Sequence, residues 1–327
     1  MLHEHLTLTA SDGTPVELDT YCPDVKEHDD KNALRTGIVI CGGGAYTLVS
    51  DRETEPVALR FAAMGFNTFV VKYRVAPFRF PCAVQDIGGA VAYVRRNAAR
   101  YQQHPDRIAV LGFSAGGHAA CSLGVMWPRE ELFAPISCTP EDVKPNVMIL
   151  CYPVITGGAH AHRGSFINLT GSEDPEVHRQ YSLETMVSGQ TPPAFLWATW
   201  DDSSVPCQNT LCFASALSEH GIPAEVHIYP HGAHGLSLAD KTTWCSNPAM
   251  LEPAVTGWPE LAASFMNGLF GEGDRGRFSV SSPSPERVKE TGDGSLSPPR
   301  LPGGSESNIP VIHQRDHAVP DLIDLSP

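Results

Sequence analysis

The sequence predicts an α/β fold: a mostly parallel central sheet with helices on both faces and an antiparallel edge hairpin at its N-terminus. Three observations carry this expectation. Short, fully apolar runs alternate with helical periodicity from residue 37 to residue 270, the mark of parallel strands buried on both faces. A Gly-x-Ser-x-Gly run joins one such strand to a helix. Near the start, two segments alternate apolar and polar residues around a turn.

Taken in order, residues 6–9 and 16–21 flank Ser11-Asp12-Gly13-Thr14 and read as a hairpin of two edge strands. Residues 24–35 are polar and read as a surface loop. The run 37–41 is a buried strand, and Gly42-Gly43-Gly44-Ala45-Tyr46 follows it. Glycines at the end of a central strand let backbone N–H groups approach a ligand. A helix is expected over 51–64, with Pro56 near its first turn and Gly65 closing it. Residues 66–73 form the next strand, and 81–101 carry a helical face of Val84, Ile87, Val91 and Val94.

The strand 108–111 then runs into Gly112-Phe113-Ser114-Ala115-Gly116-Gly117-His118 and a helix. A serine in so tight a turn is held in a strained backbone above the carboxyl end of the sheet, beside the first amides of the helix. Further strands are expected at 147–151, 194–198 and 224–229, with helices at 207–220 and 258–269. Residues 1–270 thus form one catalytic domain. Residues 271–327 are dense in Ser, Pro and Gly, have no sustained period, and are expected to be a disordered tail. Short partner-binding elements at 309–312 or 322–325 are conceivable within it.

Composition bounds the function. The 327-residue chain is 42% apolar and 18% charged, as an ordinary globular protein is, with a formal charge of −14. That acidity speaks against a nucleic-acid backbone or an anionic membrane as partner. Nine cysteines show no Cys-x-x-Cys pair, and several sit in apolar runs; they read as free thiols. The first residues lack the basic and apolar regions of a signal peptide, and no apolar run reaches membrane-spanning length. A cytoplasmic location is expected, and self-association into a homo-oligomer stays open.

A serine hydroxyl needs a base within hydrogen-bond reach to act as a nucleophile near neutral pH. On sheets of this kind the partners follow in the order serine, acid, histidine. The acid falls in Trp200-Asp201-Asp202-Ser203-Ser204-Val205-Pro206, and the histidine in Pro230-His231-Gly232-Ala233-His234-Gly235-Leu236. Only one of the adjacent carboxylates can orient the base. Asp202 is preferred because it stands three residues before Val205-Pro206, where the next helix begins; Asp201 is the alternative. His234, followed by glycine, is the preferred base over His231, while His227 lies within a strand and reads as packing. The Ala115 amide, with those of Gly43 and Gly44, can form an oxyanion hole. Tyr46 and Trp200 border these loops and His162 lies in the long connection 154–193; each is a candidate substrate contact or a packing or loop residue. No cofactor is implied, and the histidines lack metal-ligand spacing such as His-Glu-x-x-His.

The set Gly42-Gly43-Gly44, Gly112-Phe113-Ser114-Ala115-Gly116-Gly117-His118, Asp202-Ser203-Ser204-Val205-Pro206 and His234-Gly235-Leu236 resembles the α/β-hydrolase esterases. The runs Ser50-Asp51-Arg52-Glu53, Tyr73-Arg74-Val75-Ala76-Pro77, Ala161-His162-Arg163-Gly164-Ser165 and Trp258-Pro259-Glu260 are similar to the acetyl-esterase group often called acetylxylan or xylanase-associated esterases. The resemblance spans roughly residues 35 to 270 and omits the tail. It implies hydrolysis of short acyl esters, with a small-molecule or oligosaccharide ester such as an acetylated xylo-oligosaccharide as substrate. Many members of that group place a histidine before the three glycines to brace the loop, where this chain has Cys41. A prolyl-oligopeptidase-type peptidase shares the residue order but usually carries a large extra domain. A non-catalytic binding protein on the same fold is a further alternative, which the filled serine, acid and histidine positions disfavour.

Overall fold

Alternation along the strands decides which helices cover which face. In the computed structural model, which describes residues 1–24 and 34–271, the strands are β1 (Leu2–Thr9), β2 (Pro15–Cys22), β3 (Arg35–Cys41), β4 (Asn67–Lys72), β5 (Gln103–Phe113), β6 (Val147–Cys151), β7 (Ala194–Thr199) and β8 (Ala224–Tyr229). They form one sheet in the order β1-β2-β4-β3-β5-β6-β7-β8. Pairing is antiparallel for β1 with β2 and β2 with β4, and parallel from β4 through to β8. The N-terminal hairpin therefore has only one edge strand, because β2 lies between β1 and β4. Residues 25–33, inside the expected surface loop, and 272–327, nearly all of the expected tail, lie outside the described residues, as do the elements expected at 309–312 and 322–325.

The helices are α1 (Glu55–Ala63), α2 (Cys82–Arg96), α3 (Ser114–Met126), α4 (Glu130–Phe133), α5 (Pro140–Val143), α6 (Arg163–Thr170), α7 (Pro175–Arg179), α8 (Gln208–Glu219) and α9 (Trp258–Phe270). Val39, Val110, Met148 and Leu196 point to one face, where they pack with Ile87, Leu123 and Phe213 of α2, α3 and α8. Ile38, Ile40, Leu111 and Trp197 point to the other and meet Phe61 of α1 and Trp258 of α9. Each such side chain contributes about 1.5–3 kcal/mol when fully buried. Among the described residues no helix is long and apolar enough to cross a membrane.

One helix expected from the sequence breaks in two. Asp51–Glu53 forms a separate 3-10 turn, Thr54 leaves helical backbone at φ −121° and ψ −95°, and α1 starts at Glu55. Pro56 fits the first turn of α1 because an N–H there has no intrahelical acceptor to lose. β5 is also longer than its apolar run, beginning at Gln103 and joining β3 through a register shift. The connection 154–193 holds α6, α7 and a further 3-10 turn at Leu183–Met186.

Candidate active site

The carboxyl ends of β3, β5, β6, β7 and the chain after β8 converge. At the β5–α3 junction Ser114 has φ +51°, in the left-handed region that non-glycine residues avoid. The turn closes because the neighbours lack side chains: a Cβ on Gly116 would lie 2.3 Å from the carbonyl oxygens of Cys41 and Gly42. The glycine loop and the serine turn are thus in direct backbone contact.

The loops after β7 and β8 supply the partners. Ser114 Oγ lies 2.8 Å from His234 Nε2, and His234 Nδ1 lies 2.7 Å from Asp202 Oδ2. A carboxylate only accepts, so Nδ1 carries the hydrogen and Nε2 offers a lone pair to the serine hydroxyl. Asp202 is buried, and its Oδ1 accepts the N–H groups of Ser204 and Val205 at 2.8 and 2.9 Å. Both oxygens are therefore fixed. The arrangement can take a proton from a hydroxyl nucleophile and hold the resulting imidazolium.

The other candidates in these loops stand elsewhere. Asp201 is exposed; its Oδ2 meets His231 Nδ1 at 3.0 Å and its Oδ1 accepts Gly232 N–H at 2.8 Å. The His231 contact is the main cause holding its carboxyl below the usual value. His227 stays in β8, bonded to Glu225 and stacked on Tyr229.

The glycine loop departs from expectation at Gly43. Its N–H does not face the serine as a free donor; it donates to Glu53 Oε2 at 2.8 Å. No protein acceptor among the described residues takes the N–H of Gly44 or of Ala115. Gly44, Ala45 and Tyr46 follow one another at φ +126°, +54° and +58°, so the loop is strained and needs support. It has four braces. Tyr73 donates to Gly42 O at 2.6 Å, Asn168 Nδ2 to Ala45 O at 2.9 Å, Glu53 holds Gly43, and Tyr46 reaches His118 Nδ1 at 2.8 Å. Cys41, in place of a bracing histidine, is wholly buried, which pushes its thiol up and keeps it protonated.

Tyr46 is corrected as a substrate contact. It is 3% exposed and belongs to the apolar core, because its left-handed backbone turns the ring inward to His118. Trp200, 66% exposed at the end of β7, is open to solvent. His162 caps α6: Nδ1 accepts from Ser165 N–H at 3.3 Å, with Ser165 Oγ 2.8 Å away. Burial, and next the charge of His234, hold its protonation below the usual histidine value.

Glu53, Arg52, Tyr152 and His118 were not singled out from the sequence as site residues. Tyr152 follows β6 at φ +36° and sets its ring against His234 with centroids 5.2 Å apart. No local pattern marks a tyrosine for that task. Arg52 and Glu53 stood out only within a run similar to the esterases.

A sequence model of the BD-FAE family matches residues 18–217. Endo-1,4-beta-xylanase B of Butyrivibrio fibrisolvens is 36% identical over 224 residues, 65% of this chain and 34% of its own length. An acetylxylan esterase of Xylanibacter ruminicola is 31% identical over 245 residues, 73% of this chain and 46% of its own. The chain thus spans between a third and a half of the length of these two relatives. Among solved structures, an acetyl ester-xyloside bifunctional hydrolase from Caldicellulosiruptor lactoaceticus is similar at a TM-score of 0.65 and 36% identity, covering 78% of this chain and 89% of that one. The carboxylesterase Cest-2923 from Lactobacillus plantarum superposes at 0.72 with 28% identity, covering 82% and 98%.

Proposed function

The chain belongs to the BD-FAE family of α/β hydrolases, and from that premise we propose that it is a serine carboxylic ester hydrolase. Its substrates are short acyl esters, acetyl foremost, on sugars or xylo-oligosaccharides. The observation that carries the reading is the unbroken hydrogen-bond chain from Ser114 Oγ through His234 to Asp202.

In this reading Ser114 Oγ attacks the acyl carbonyl as His234 Nε2 takes its proton. Asp202 holds the imidazolium that forms. The oxyanion is received by the N–H groups of Gly44 and Ala115, donors aimed before the reaction and therefore strong in a partly dry site. Collapse expels the alcohol, protonated by Nε2, and leaves an acyl-Ser114. Water, deprotonated by the same nitrogen, then releases the carboxylate and restores the serine. His162 and exposed Trp200 are the side chains we assign to the substrate's alcohol portion.

The acetyl preference draws support from relatives named acetylxylan esterase and acetyl ester-xyloside hydrolase. All nine cysteines are unpaired, which favours a reducing, cytoplasmic setting. The test is kcat/KM on acetyl, butyryl and octanoyl nitrophenyl esters, with acetate release from acetylated xylo-oligosaccharides. Each buried methylene contributes about 0.8 kcal/mol, so an open acyl pocket would favour longer chains progressively. A rate that falls beyond acetyl supports the reading. A rate that climbs with chain length overturns it in favour of a general carboxylesterase.

A further inference from the structure

Two adjacent side chains before α1 reach loops that are far apart in the chain. Glu53 is 4% exposed. Its Oε2 accepts Gly43 N–H at 2.8 Å, and its Oε1 accepts the Tyr152 hydroxyl at 2.6 Å. The Tyr152 oxygen in turn accepts Ser237 N–H at 2.9 Å, three residues beyond His234. Arg52 works on the same segment: Nη2 donates to Gly235 O at 3.0 Å, Nε donates to Thr243 O, and its own carbonyl accepts the Ser237 hydroxyl at 2.7 Å.

We propose that Glu53 is a positioning residue that withdraws Gly43 N–H from the oxyanion site, leaving Gly44 and Ala115 as donors, and locks the glycine loop to the loop of His234. The role rests on the esterase reading above. A buried carboxylate is costly unless its acceptors are used, and an apolar side chain would fill the same space without that desolvation. Here both oxygens are used, on opposite sides of the site. One fixes the strained loop that must present an amide to the oxyanion. The other orients the tyrosine whose ring backs the histidine and whose oxygen pins the backbone beyond it. The break between the 3-10 turn and α1 lets Glu53 point inward.

Glutamine cannot reproduce the pattern. If its oxygen accepts from Gly43, its amide group faces the Tyr152 hydroxyl. That oxygen already accepts from Ser237, and its hydrogen is left without an acceptor. The two loops lose their common anchor. Displacements near one ångström in a reacting geometry cost about a hundredfold in rate.

The experiment compares wild type, Glu53→Gln and Tyr152→Phe on an acetyl nitrophenyl ester, with active sites counted by a fluorophosphonate probe and stability followed by thermal unfolding. For both variants we expect kcat per titrated site to fall by about tenfold to a hundredfold, with KM within about threefold of wild type. A merely structural role would lower the melting temperature and the number of titrated sites while leaving kcat per site intact. Turnover per site within about twofold of wild type in Glu53→Gln overturns the proposal. Should that variant fail to fold, undiminished turnover per site in Tyr152→Phe overturns it as well. Wild-type protein that neither hydrolyses the ester nor takes the probe on Ser114 overturns the esterase reading, and the positioning role with it.

Discussion

The Tyr46 hydroxyl donates to His118 Nδ1 across 2.8 Å, binding the strained glycine loop to the helix that begins at Ser114. The direction of the bond follows from the other ring nitrogen. His118 Nε2 lies 3.1 Å from the carbonyl oxygen of Tyr181, which can only accept, so Nε2 holds the hydrogen and Nδ1 is the acceptor.

Tyr46→Phe leaves that buried nitrogen only the Ser122 hydroxyl, 3.5 Å away and already donating to the His118 carbonyl. We expect a loss of about 1–3 kcal/mol in stability, read by chemical denaturation. The ratio of acetyl to butyryl turnover should stay unchanged, because the ring lies in the core. A shift of that ratio toward butyrate would return Tyr46 to the wall of the acyl pocket.

His118 also makes stability depend on pH. Burial pulls its pKa down from 6.5 to about 4. The unfolded chain therefore binds this proton first as pH falls. The contribution is complete above 6.5 and is lost between 6.5 and about 4. The full span is about 3 kcal/mol. In His118→Gln, unfolding free energy measured across that window should vary less steeply with pH than in wild type. Equal slopes would place the titration on other groups.

Replacing the two adjacent carboxylates separates their roles. Asp202→Asn presents a donor to His234 Nδ1 and favours the wrong tautomer, so we expect about a ten-thousandfold fall in kcat. Asp201→Asn, at a carboxylate bonded to exposed His231 and to Gly232, should stay within about threefold. Ser114→Ala should abolish turnover and probe labelling while the melting temperature is kept. Near-native turnover in Ser114→Ala would remove the serine from the mechanism.

Two glycines should respond with opposite signs. Gly116→Ala drives a Cβ against backbone oxygens 2.3 Å away, which cannot move without shifting the glycine loop. A destabilisation of about 3 kcal/mol or more is expected. Gly268→Ala on α9 meets nothing within 4 Å and should stabilise by about 0.5–1 kcal/mol. Paired thermal melts of the two variants check both.

The sheet was legible because Ile38 to Ile40, Val110, Ile149 and their neighbours are apolar on both faces, and no helix-period reading competes. The Ser114, Asp202 and His234 positions were legible because chain order and strand ends restrict them. The break at Thr54 was passed over, although a helix running from Asp51 would hold Pro56 in its interior, where it has no N–H for the Arg52 carbonyl and clashes with it, so the helix restarts at Glu55 with the proline in its first turn. Gly43 was misread for a different reason. A sequence tells that an amide is unobstructed by a side chain, while the acceptor it finds ten residues later depends on the tertiary fold. Tyr46 stood next to the glycines in sequence, and its left-handed backbone carried it into the core.

The link between Gly43 and Ser237 through Glu53 and Tyr152 also sets how the site breathes. Each of the two amides is shielded from water by a partner on the same bridge, so neither can reach solvent until the bridge opens. Their deuterium uptake should therefore follow a single opening event, although 194 positions separate them in the chain. On this arrangement the loops beside Ser114 should open together, and separate exchange rates for the two amides would show that the bridge does not couple them.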